Sequence, residues 1–308
     1  MTKSYLIICS YGHQSGFGHL TRAKIIKNYI KKNIRSKVRV LVVNDKNVKK
    51  KNISELILKK IEKKKINVLI LDINFFHTNF KNKIIELINF VKEKGIRVVG
   101  VDSARNFYKF IDCVWIPSPF KQINLTSKNI FYGFDKMIFN RYKISYSGLK
   151  KIVFLVGGSK NKEISNKLPR IIEKSISKKF KLIWIKYGFS SHPKVVDKKR
   201  WLIYSAKSSL KNIFKQSGFI FTFYGLSFFE SLNCGIPSVA FCTKKNYKKD
   251  YKEIELLRRK KVFFIETDIN KAVKKLVELI SNKKMARLTS IKSKKYLNNY
   301  NYSFLKRV

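Results

Sequence analysis

The sequence has few acidic residues, few cysteines and no long hydrophobic segment. Its 308 residues carry 19 acidic side chains against 68 lysines and arginines, a formal net charge of +49. The cysteines form no Cys-x-x-Cys pair, which argues against a zinc site or a disulfide framework and indicates reducing cytoplasm. They are Cys9, Cys113, Cys234 and Cys242. No run approaches the roughly 18 apolar residues of a membrane-spanning helix, and the first apolar run begins too early for a signal peptide to precede it.

The excess of positive charge admits nucleic acids and anionic membranes as partners. Lysine supplies 56 of the 68 basic residues and arginine 12, and the lysines are spread over every predicted helix. Proteins that read phosphates and bases tend to use arginine, whose planar fork suits bidentate contacts. We therefore expect no specific nucleic-acid partner. Peripheral contact with the inner face of an anionic membrane stays open, as does a non-catalytic polybasic binder of nucleic acid or membrane surface.

Short apolar runs alternate with amphipathic stretches along the whole chain. A hydrophobic fraction of 44% is ample for a large core, and the length suits two domains of about 150 residues each. Strands that alternate with helices predict βαβ units and parallel sheets. The pattern restarts after a polar stretch near residue 145. We predict an α/β chain of two similar-sized domains with parallel sheets, 1–145 and 146–308.

Ligands of parallel α/β sheets bind in the loops beyond the carboxyl ends of the strands, so the predicted strands indicate which loops to inspect. In the first domain they are Tyr5–Cys9, Val38–Val43, Asn67–Leu71, Ile96–Val101 and Cys113–Ile116. In the second they include Ile152–Val156, Lys181–Lys186, Trp201–Tyr204, Phe219–Thr222 and Ser238–Phe241. The lysine- and asparagine-rich tail from Lys283 is predicted to form one more helix and then to fray.

The loop after the first strand is rich in glycine and histidine. Gly16 and Gly18 allow a close approach of backbone to a ligand, and the helix that follows offers unpaired N–H groups to anions. His19 lies at the predicted start of this helix, where the positive end of the helix dipole favours the neutral imidazole. A neutral histidine at the mouth of a binding site suits a general base. The alternative is a glycine-rich turn with incidental histidines.

The order Gly16-x-Gly18-His19-x-x-Arg22 after a first strand resembles the N-terminal signature of two related groups of GT-B-type proteins. One group contains nucleotide-sugar glycosyltransferases with Gly-x-Gly-His-x-Thr-Arg-Ala, which residues 16–23 match closely. The other contains the UDP-sugar hydrolase of pseudaminic acid biosynthesis and its spore-coat-polysaccharide glycosyltransferase-like relatives. The resemblance implies a GT-B-like fold, in which two Rossmann-like domains face each other with their parallel sheets across a cleft. It also implies a first domain on the acceptor side that carries the catalytic His19, and nucleotide-sugar binding by Gly16, Gly18 and Arg22.

A second motif, in residues 221–237, resembles the nucleotide-binding signature of the C-terminal half of these enzymes. Gly225 and the following helix start, at Ser227, would present N–H groups to a diphosphate. Glu230, one turn later, would hold the ribose hydroxyls, and a Gly-Ile-Pro sequence follows at the family spacing. The alternative is a capping box, in which Glu230 turns back onto the backbone of its own helix start.

A third motif and one single residue complete the predicted nucleotide-sugar site. Gly157, Gly158 and Ser159 follow the strand Ile152–Val156, where the resemblance implies a loop against the diphosphate. Asn246 stands where an Asn-Gln pair commonly contacts the sugar, although tyrosine replaces the glutamine here. The alternative for the Gly-Gly pair is a hinge.

Several positions depart from the pattern of the hydrolase group. Asp72 ends a strand as in the Asp-x-Tyr element, but Asn74 replaces its tyrosine, Asp102 is followed by Ser103 where Asp-Asp is common, and Lys160 replaces an aspartate. We therefore predict a glycosyltransferase that uses a UDP-activated amino sugar or sugar in surface-glycan synthesis, with a glycan or lipid-linked acceptor. It would need neither metal nor cofactor, since helix-end N–H groups can stabilise a leaving diphosphate. Hydrolysis of a UDP-amino sugar is the alternative within the same fold.

Overall fold

A computed structural model describes residues 3–12, 18–44, 58, 61, 65–73, 78–102, 107–119, 129–144, 146–156, 162–186, 190–205 and 210–308. The chain divides into two compact units. The first unit comprises Met1–Ile138 together with Tyr300–Val308, and the second comprises Phe139–Asn299. The chain therefore passes between the units twice, once after Ile138 and again after Asn299.

The first unit contains a six-stranded sheet in which every described pairing is parallel. Its strands are β1 (Ser4–Tyr11), β2 (Lys37–Asn44), β3 (Val68–Asp72), β4 (Arg97–Val101), β5 (Cys113–Trp115) and β6 (Ile130–Phe131). The described helices are α1 (Gly18–Tyr29), which continues into a π-helical turn, and α2 (Thr78–Glu93). Strand β3 is buried along its whole length, as expected for a parallel strand covered on both faces.

Side chains of β1 divide between the two faces of this sheet with a period of two. Leu6 and Ile8 pack into one hydrophobic cluster, and Tyr5, Ile7 and Cys9 pack into the other. The strand order is β2-β1-β3-β4-β5-β6, so the direction of winding reverses between β1 and β3. Ligands of open α/β sheets bind beyond the carboxyl ends of the strands at such a switch point. The loop after β1 and the end of β3 therefore mark the expected site.

The second unit repeats this architecture with a different strand order. Its strands are β7 (Lys151–Leu155), β8 (Lys181–Lys186), β9 (Trp201–Ser205), β10 (Phe219–Phe223), β11 (Ser238–Phe241) and β12 (Phe264–Glu266). Its helices are α3 (Lys162–Ser175), α4 (Leu210–Lys215), α5 (Leu226–Asn233), α6 (Lys244–Arg259), α7 (Ile269–Ser281) and α8 (Lys283–Leu297). The parallel order β12-β11-β10-β7-β8-β9 puts the switch point between β7 and β10.

The chain end returns to the first unit, which differs from the predicted fraying tail and from a second domain that runs to residue 308. Tyr302 and Phe304 are buried against Trp115, with ring centroids 4.8 and 5.0 Å from its indole. The Tyr5 hydroxyl donates a hydrogen bond to the carbonyl of Leu305 at 2.9 Å. Apolar burial thus fixes the last residues. The units divide after Ile138, a few residues before the predicted boundary.

Among the described residues, no helix has both the length and the apolar character needed to cross a bilayer.

Candidate functional site

His19 lies in the first turn of α1, directly after the loop that follows β1. Its Nδ1 is 2.6 Å from Oδ1 of Asp72, the last residue of β3. The two residues flank the switch point of the first sheet, because β1 and β3 are adjacent strands. Side chains from positions 53 residues apart thus meet at the carboxyl edge, where a ligand is expected.

Arg22 binds the same carboxylate from the next turn of α1. Its Nε donates to Oδ2 of Asp72 at 2.9 Å, and its Nη2 donates to Oδ1 at 2.7 Å. This is the bidentate fork geometry, the strong form of an arginine–carboxylate pair. Nη2 also lies 2.8 Å from Nδ1 of His19. Since both nitrogens face Oδ1 of Asp72, we assign Nδ1 as a donor to Asp72 and treat the contact with Arg22 as a consequence of the shared acceptor.

The protonation of Asp72 is determined by its partners. The Asp72 side chain is fully buried, and burial alone would raise its pKa. Arg22 and His19 outweigh this effect by charge and hydrogen bonding, and they lower the pKa of Asp72 to about 2. Asp72 is therefore ionised at neutral pH. It can accept the Nδ1 proton of His19 and leave Nε2 as the proton acceptor of the ring.

Asp102 completes the group from the end of the neighbouring strand. It directly follows β4, and its Oδ2 lies 3.0 Å from Nη1 of Arg22. Its φ of 55° lies in the left-handed region, which aspartate tolerates better than most residues. Burial lowers the pKa of Arg22, but the Asp72 and Asp102 carboxylates raise it by more. The guanidinium is thus held between two carboxylates on adjacent strands.

These contacts bear on the predicted residues of the first loop. Gly18 is the first residue of α1, so the predicted helix start next to His19 agrees with the structure. Gly16 lies outside the described residues. Arg22 was expected to bind the nucleotide sugar, and this assignment stays a prediction. In the structure, each of its guanidinium nitrogens contacts Asp72 or Asp102.

The second predicted site follows β10, next to the switch point of the second sheet. Gly225 is the N-cap of α5, with φ 158° and ψ −161°, a combination that only glycine adopts readily. A Cβ at this position would meet no atom within 4 Å. The backbone therefore requires glycine, while the space beside it is open. Such a helix start can present N–H groups to an anion, with Leu226 and Ser227 in the first turn.

Glu230 is buried, at 2% exposure, and is held by a residue that the sequence analysis did not single out. Its Oε1 accepts hydrogen bonds from the backbone N of Asn140 at 3.1 Å and from the side-chain Nδ2 at 2.8 Å. Burial raises the pKa of Glu230 to about 7, although the bonds from Asn140 act in the opposite direction. Since Gly225 rather than Ser227 caps the helix, the capping-box alternative does not describe this carboxylate.

The remaining predicted residues are divided between described and undescribed parts of the chain. Gly157, Gly158 and Ser159 lie outside the described residues, although β7, the strand before them, pairs with β10. Asn246 is exposed in the first turn of α6, where its backbone N donates to the side chain of Thr243, the N-cap, at 3.4 Å.

Comparison with solved structures identifies the architecture. The chain superposes on Arabidopsis thaliana UGT89C1 complexed with quercetin with a TM-score of 0.64 at 11% identity, over 100% of this chain and 98% of that one. The Staphylococcus aureus MnaA–UDP structure superposes with a TM-score of 0.62 at 12% identity, over 96% of this chain and 92% of that one. Acinetobacter baumannii MurG gives 0.58 at 10% identity, with 98% of both chains covered. The chain has the GT-B fold. No family model and no curated protein sequence matches it.

Three residues of these sites, the carboxylates of Asp72 and Asp102 and the amide of Asn140, were not among the predicted site residues of this GT-B chain. The sequence prediction gives Asp72 and Asp102 no role of their own and names them only because the residues that follow in the two hydrolase elements, Asn74 and Ser103, depart from the pattern. Their signal was nevertheless present, since each stands at or just after the carboxyl end of an apolar run in neighbouring strands. Asn140 gave no comparable signal, because it lies in a polar stretch 90 residues before Glu230.

Proposed function

We propose that the protein is a glycosyltransferase that uses a nucleotide-activated sugar, with His19 as the general base. The observation that carries this proposal is the His19–Asp72 pair, which lies at the switch point of the first sheet of a GT-B fold. A histidine whose Nδ1 is held by a buried carboxylate has the orientation and tautomer that general-base catalysis requires. The GT-B neighbours include the rhamnosyltransferase SpnG and the glycosyltransferase SnogD, and they support nucleotide-sugar chemistry by analogy of fold.

In the proposed reaction, the acceptor hydroxyl attacks the anomeric carbon of the donor sugar. The new bond joins the acceptor oxygen to that carbon, and the bond from the carbon to the diphosphate oxygen breaks. His19 Nε2 takes the hydroxyl proton, and the nucleoside diphosphate leaves with the bonding electrons. Asp72 stabilises the imidazolium that forms, as the aspartate does in other histidine-based catalytic groups.

Arg22 and Asp102 have positioning roles in this proposal. Neither residue needs to touch the sugar, because the Arg22 guanidinium already contacts both carboxylates. The bidentate bonds hold both oxygens of Asp72 and fix the plane of the carboxylate that receives the His19 proton. Asp102 supports Arg22 from the end of β4. The arginine of the Gly-x-Gly-His-x-x-Arg signature would therefore orient the catalytic pair.

The second unit would hold the nucleotide. The N-terminus of α5 at Gly225 and Ser227 offers N–H groups to the diphosphate, and the predicted Gly157–Ser159 loop would do so after the neighbouring strand. Glu230 stays our candidate for the ribose hydroxyls. Its Oε1 is bound by Asn140, whereas no described residue donates a hydrogen bond to Oε2. Asn246 would contact the sugar. Helix-end N–H groups can stabilise the leaving diphosphate without a metal.

We further propose a UDP-activated donor, amino sugar or plain sugar, and a role in surface-glycan synthesis with a glycan or lipid-linked acceptor. The sequence resemblance supports the glycan role, and one structural neighbour is a complex with UDP. The neighbour SpnG was crystallised with thymidine diphosphate, so the base needs a direct test.

The test has two parts. Binding of UDP-, GDP-, CMP- and dTDP-sugars is measured by calorimetry, and release of the nucleotide is then followed with and without membrane extract as a source of acceptor. We expect UDP-N-acetyl-amino sugars to bind, slow release alone and clearly faster release with acceptor. Rapid release without acceptor, together with an equal amount of free sugar, would show that water is the second substrate and that the enzyme is a hydrolase.

A further inference from the structure

Helix α8 is anchored to the second unit by one face only. The buried residues of the helix repeat at helical spacing and are Ala286, Thr289, Ser290, Ser293 and Leu297. The Ser293 hydroxyl donates a hydrogen bond to the carbonyl of Leu232 in α5 at 3.1 Å, and Ala286 packs in the hydrophobic core of the unit. These contacts fix the rotation of the helix about its axis, and hence which side chains point outward.

Two large aliphatic side chains lie on the outward face. Leu288 is 45% exposed and Ile291 is 58% exposed. Residues three apart in a helix are neighbours on the same face, so these two form one apolar spot. A single exposed aliphatic residue is ordinary on a protein surface. An adjacent pair matters here because of the side chains that surround it.

Four exposed cations frame this apolar pair. Each aliphatic residue has one cation four residues before it and one four residues after it, the spacing that brings side chains together on a helix. For Leu288 these are Lys284 and Lys292, and for Ile291 they are Arg287 and Lys295. The helix contains no acidic residue. We call Lys284, Arg287, Leu288, Ile291, Lys292 and Lys295 together the α8 face.

We propose that the α8 face docks on an anionic lipid bilayer. Lysine and arginine near a membrane surface are attracted by acidic headgroups, and aliphatic side chains gain free energy when they enter the boundary between headgroups and acyl chains. The long side chains of the cations can keep their charge among the headgroups while the shorter Leu288 and Ile291 point inward. The chemistry of the face therefore matches the two layers of an anionic membrane.

The apolar pair distinguishes a bilayer from nucleic acid as the occupant. A phosphate backbone interacts with cations and offers nothing to an aliphatic side chain, so binding to it would leave Leu288 and Ile291 without a role. The predominance of lysine over arginine on this face also suits diffuse attraction to headgroups better than bidentate recognition of phosphates or bases. This inference does not depend on the proposed activity, since it concerns a surface outside the predicted catalytic residues.

The test uses sedimentation of the full chain with vesicles of phosphatidylglycerol and phosphatidylcholine, and with vesicles of phosphatidylcholine alone. One variant carries Lys284→Gln, Arg287→Gln, Lys292→Gln and Lys295→Gln. Its matched control removes three lysines and one arginine from exposed positions on and just after α3, through Lys162→Gln, Arg170→Gln, Lys174→Gln and Lys178→Gln. A third variant carries Leu288→Ser and Ile291→Ser, and thermal melting checks the folding of each.

We expect the wild type to bind only the anionic vesicles. The α8 charge variant should bind them at least about a hundredfold more weakly, the control at most about threefold more weakly, and the Leu288→Ser/Ile291→Ser variant about tenfold more weakly. If the α8 charge variant and its control lost equal affinity for the anionic vesicles, net charge alone would drive binding, and the proposal would be overturned. Unchanged binding of the Leu288→Ser/Ile291→Ser variant to the anionic vesicles would also overturn it, because nucleic acid or any other polyanion could then replace the bilayer.

Discussion

Asp72 in the first unit and Glu230 in the second are both buried near the switch point of their sheet, and their pKa values are shifted in opposite directions. Asp72 has the Arg22 guanidinium against both oxygens, and its pKa falls to about 2 despite full burial. Among the described residues, only the neutral Asn140 donates hydrogen bonds to the Glu230 carboxylate, and burial raises the pKa of Glu230 to about 7. A cation therefore decides whether a buried carboxylate is a permanent charge or a group that titrates near neutral pH.

The contrast also separates their proposed roles. A permanently ionised Asp72 can hold the His19 tautomer over the whole physiological range, as an orienting group must. Glu230 exchanges its proton in that range, so its ability to accept hydrogen bonds from ribose hydroxyls would vary with pH. The following predictions test this difference, beginning with the largest effect.

Replacement of Arg22 by methionine should remove the cation that keeps Asp72 ionised. Breaking a buried ion pair by removal of one partner costs about 3–5 kcal/mol, so the free energy of unfolding in urea should fall by that amount at pH 7. Arg170→Met, at an exposed position of α3, is the matched control and should change it by at most about 0.5 kcal/mol.

The loss in free energy of unfolding of the Arg22→Met variant, relative to wild type, should depend on pH. Because the folded-state pKa of Asp72 is lowered, its contribution to stability is fully present above the ordinary aspartate range and is lost as the pH falls towards about 2. Wild type and variant should therefore converge in acid. A deficit that is equal at pH 7 and at pH 3 would indicate lost packing rather than a lost ion pair.

Replacement of His19 by alanine should lower kcat by roughly a hundredfold or more, the usual scale for a general base. UDP affinity should change little, since His19 belongs to the first unit and the predicted nucleotide residues are mostly in the second. Steady-state kinetics measures kcat, and calorimetry measures the affinity for UDP. Equal losses of rate and UDP affinity would reject the assignment of His19 as a base.

Replacement of Glu230 by glutamine should change the pH dependence of stability in the direction opposite to that of Asp72. A raised folded-state pKa means that the Glu230 contribution is present below about pH 4.5 and is lost as the pH rises through about 7. Above pH 7 the variant should be more stable than wild type by about 1–3 kcal/mol, as measured by urea unfolding. Glu163→Gln, at an exposed position of α3, is the control and should leave the pH dependence of stability nearly unchanged.

The same Glu230→Gln variant should bind UDP about tenfold more weakly if the carboxylate holds the ribose, because hydrogen bonds to a charged group are the stronger kind. Calorimetry at pH 8, where Glu230 is mostly ionised, measures this directly. Unchanged UDP affinity in the folded variant would reject the ribose role and leave Glu230 as a structural partner of Asn140.

Much of the fold followed from local sequence pattern. The predicted strands match those of the structure closely, because each is a short apolar run between polar helices. Two features did not follow. Strand β6 has only two residues, too few to form a recognisable apolar run. The chain end packs in the first unit through Tyr302 and Phe304, whose partner Trp115 is far away in the sequence. Local periodicity carries no information about such distant partners.

The position of the candidate site at a helix start could be predicted from the sequence, but the ion pairs and hydrogen bonds between its side chains could not. The glycine spacing placed His19 at a helix start, and the structure confirms that position. That Asp72 and Asp102 meet Arg22 depends on the order of strands in the sheet, which the sequence did not establish. Asn140 became visible as a partner of Glu230 only once the chain was folded, because an isolated asparagine in a polar stretch has no distinguishing pattern.

The measurement that tests the central claim most directly compares kcat for His19→Ala, Asp72→Asn and the double variant, with each protein shown to be folded. If Asp72 acts through His19, the double variant should be no slower than His19→Ala, because residues that act as one unit have strongly non-additive effects. Losses that multiply in the double variant, or an Asp72→Asn enzyme with wild-type kcat, would contradict a His19–Asp72 catalytic pair.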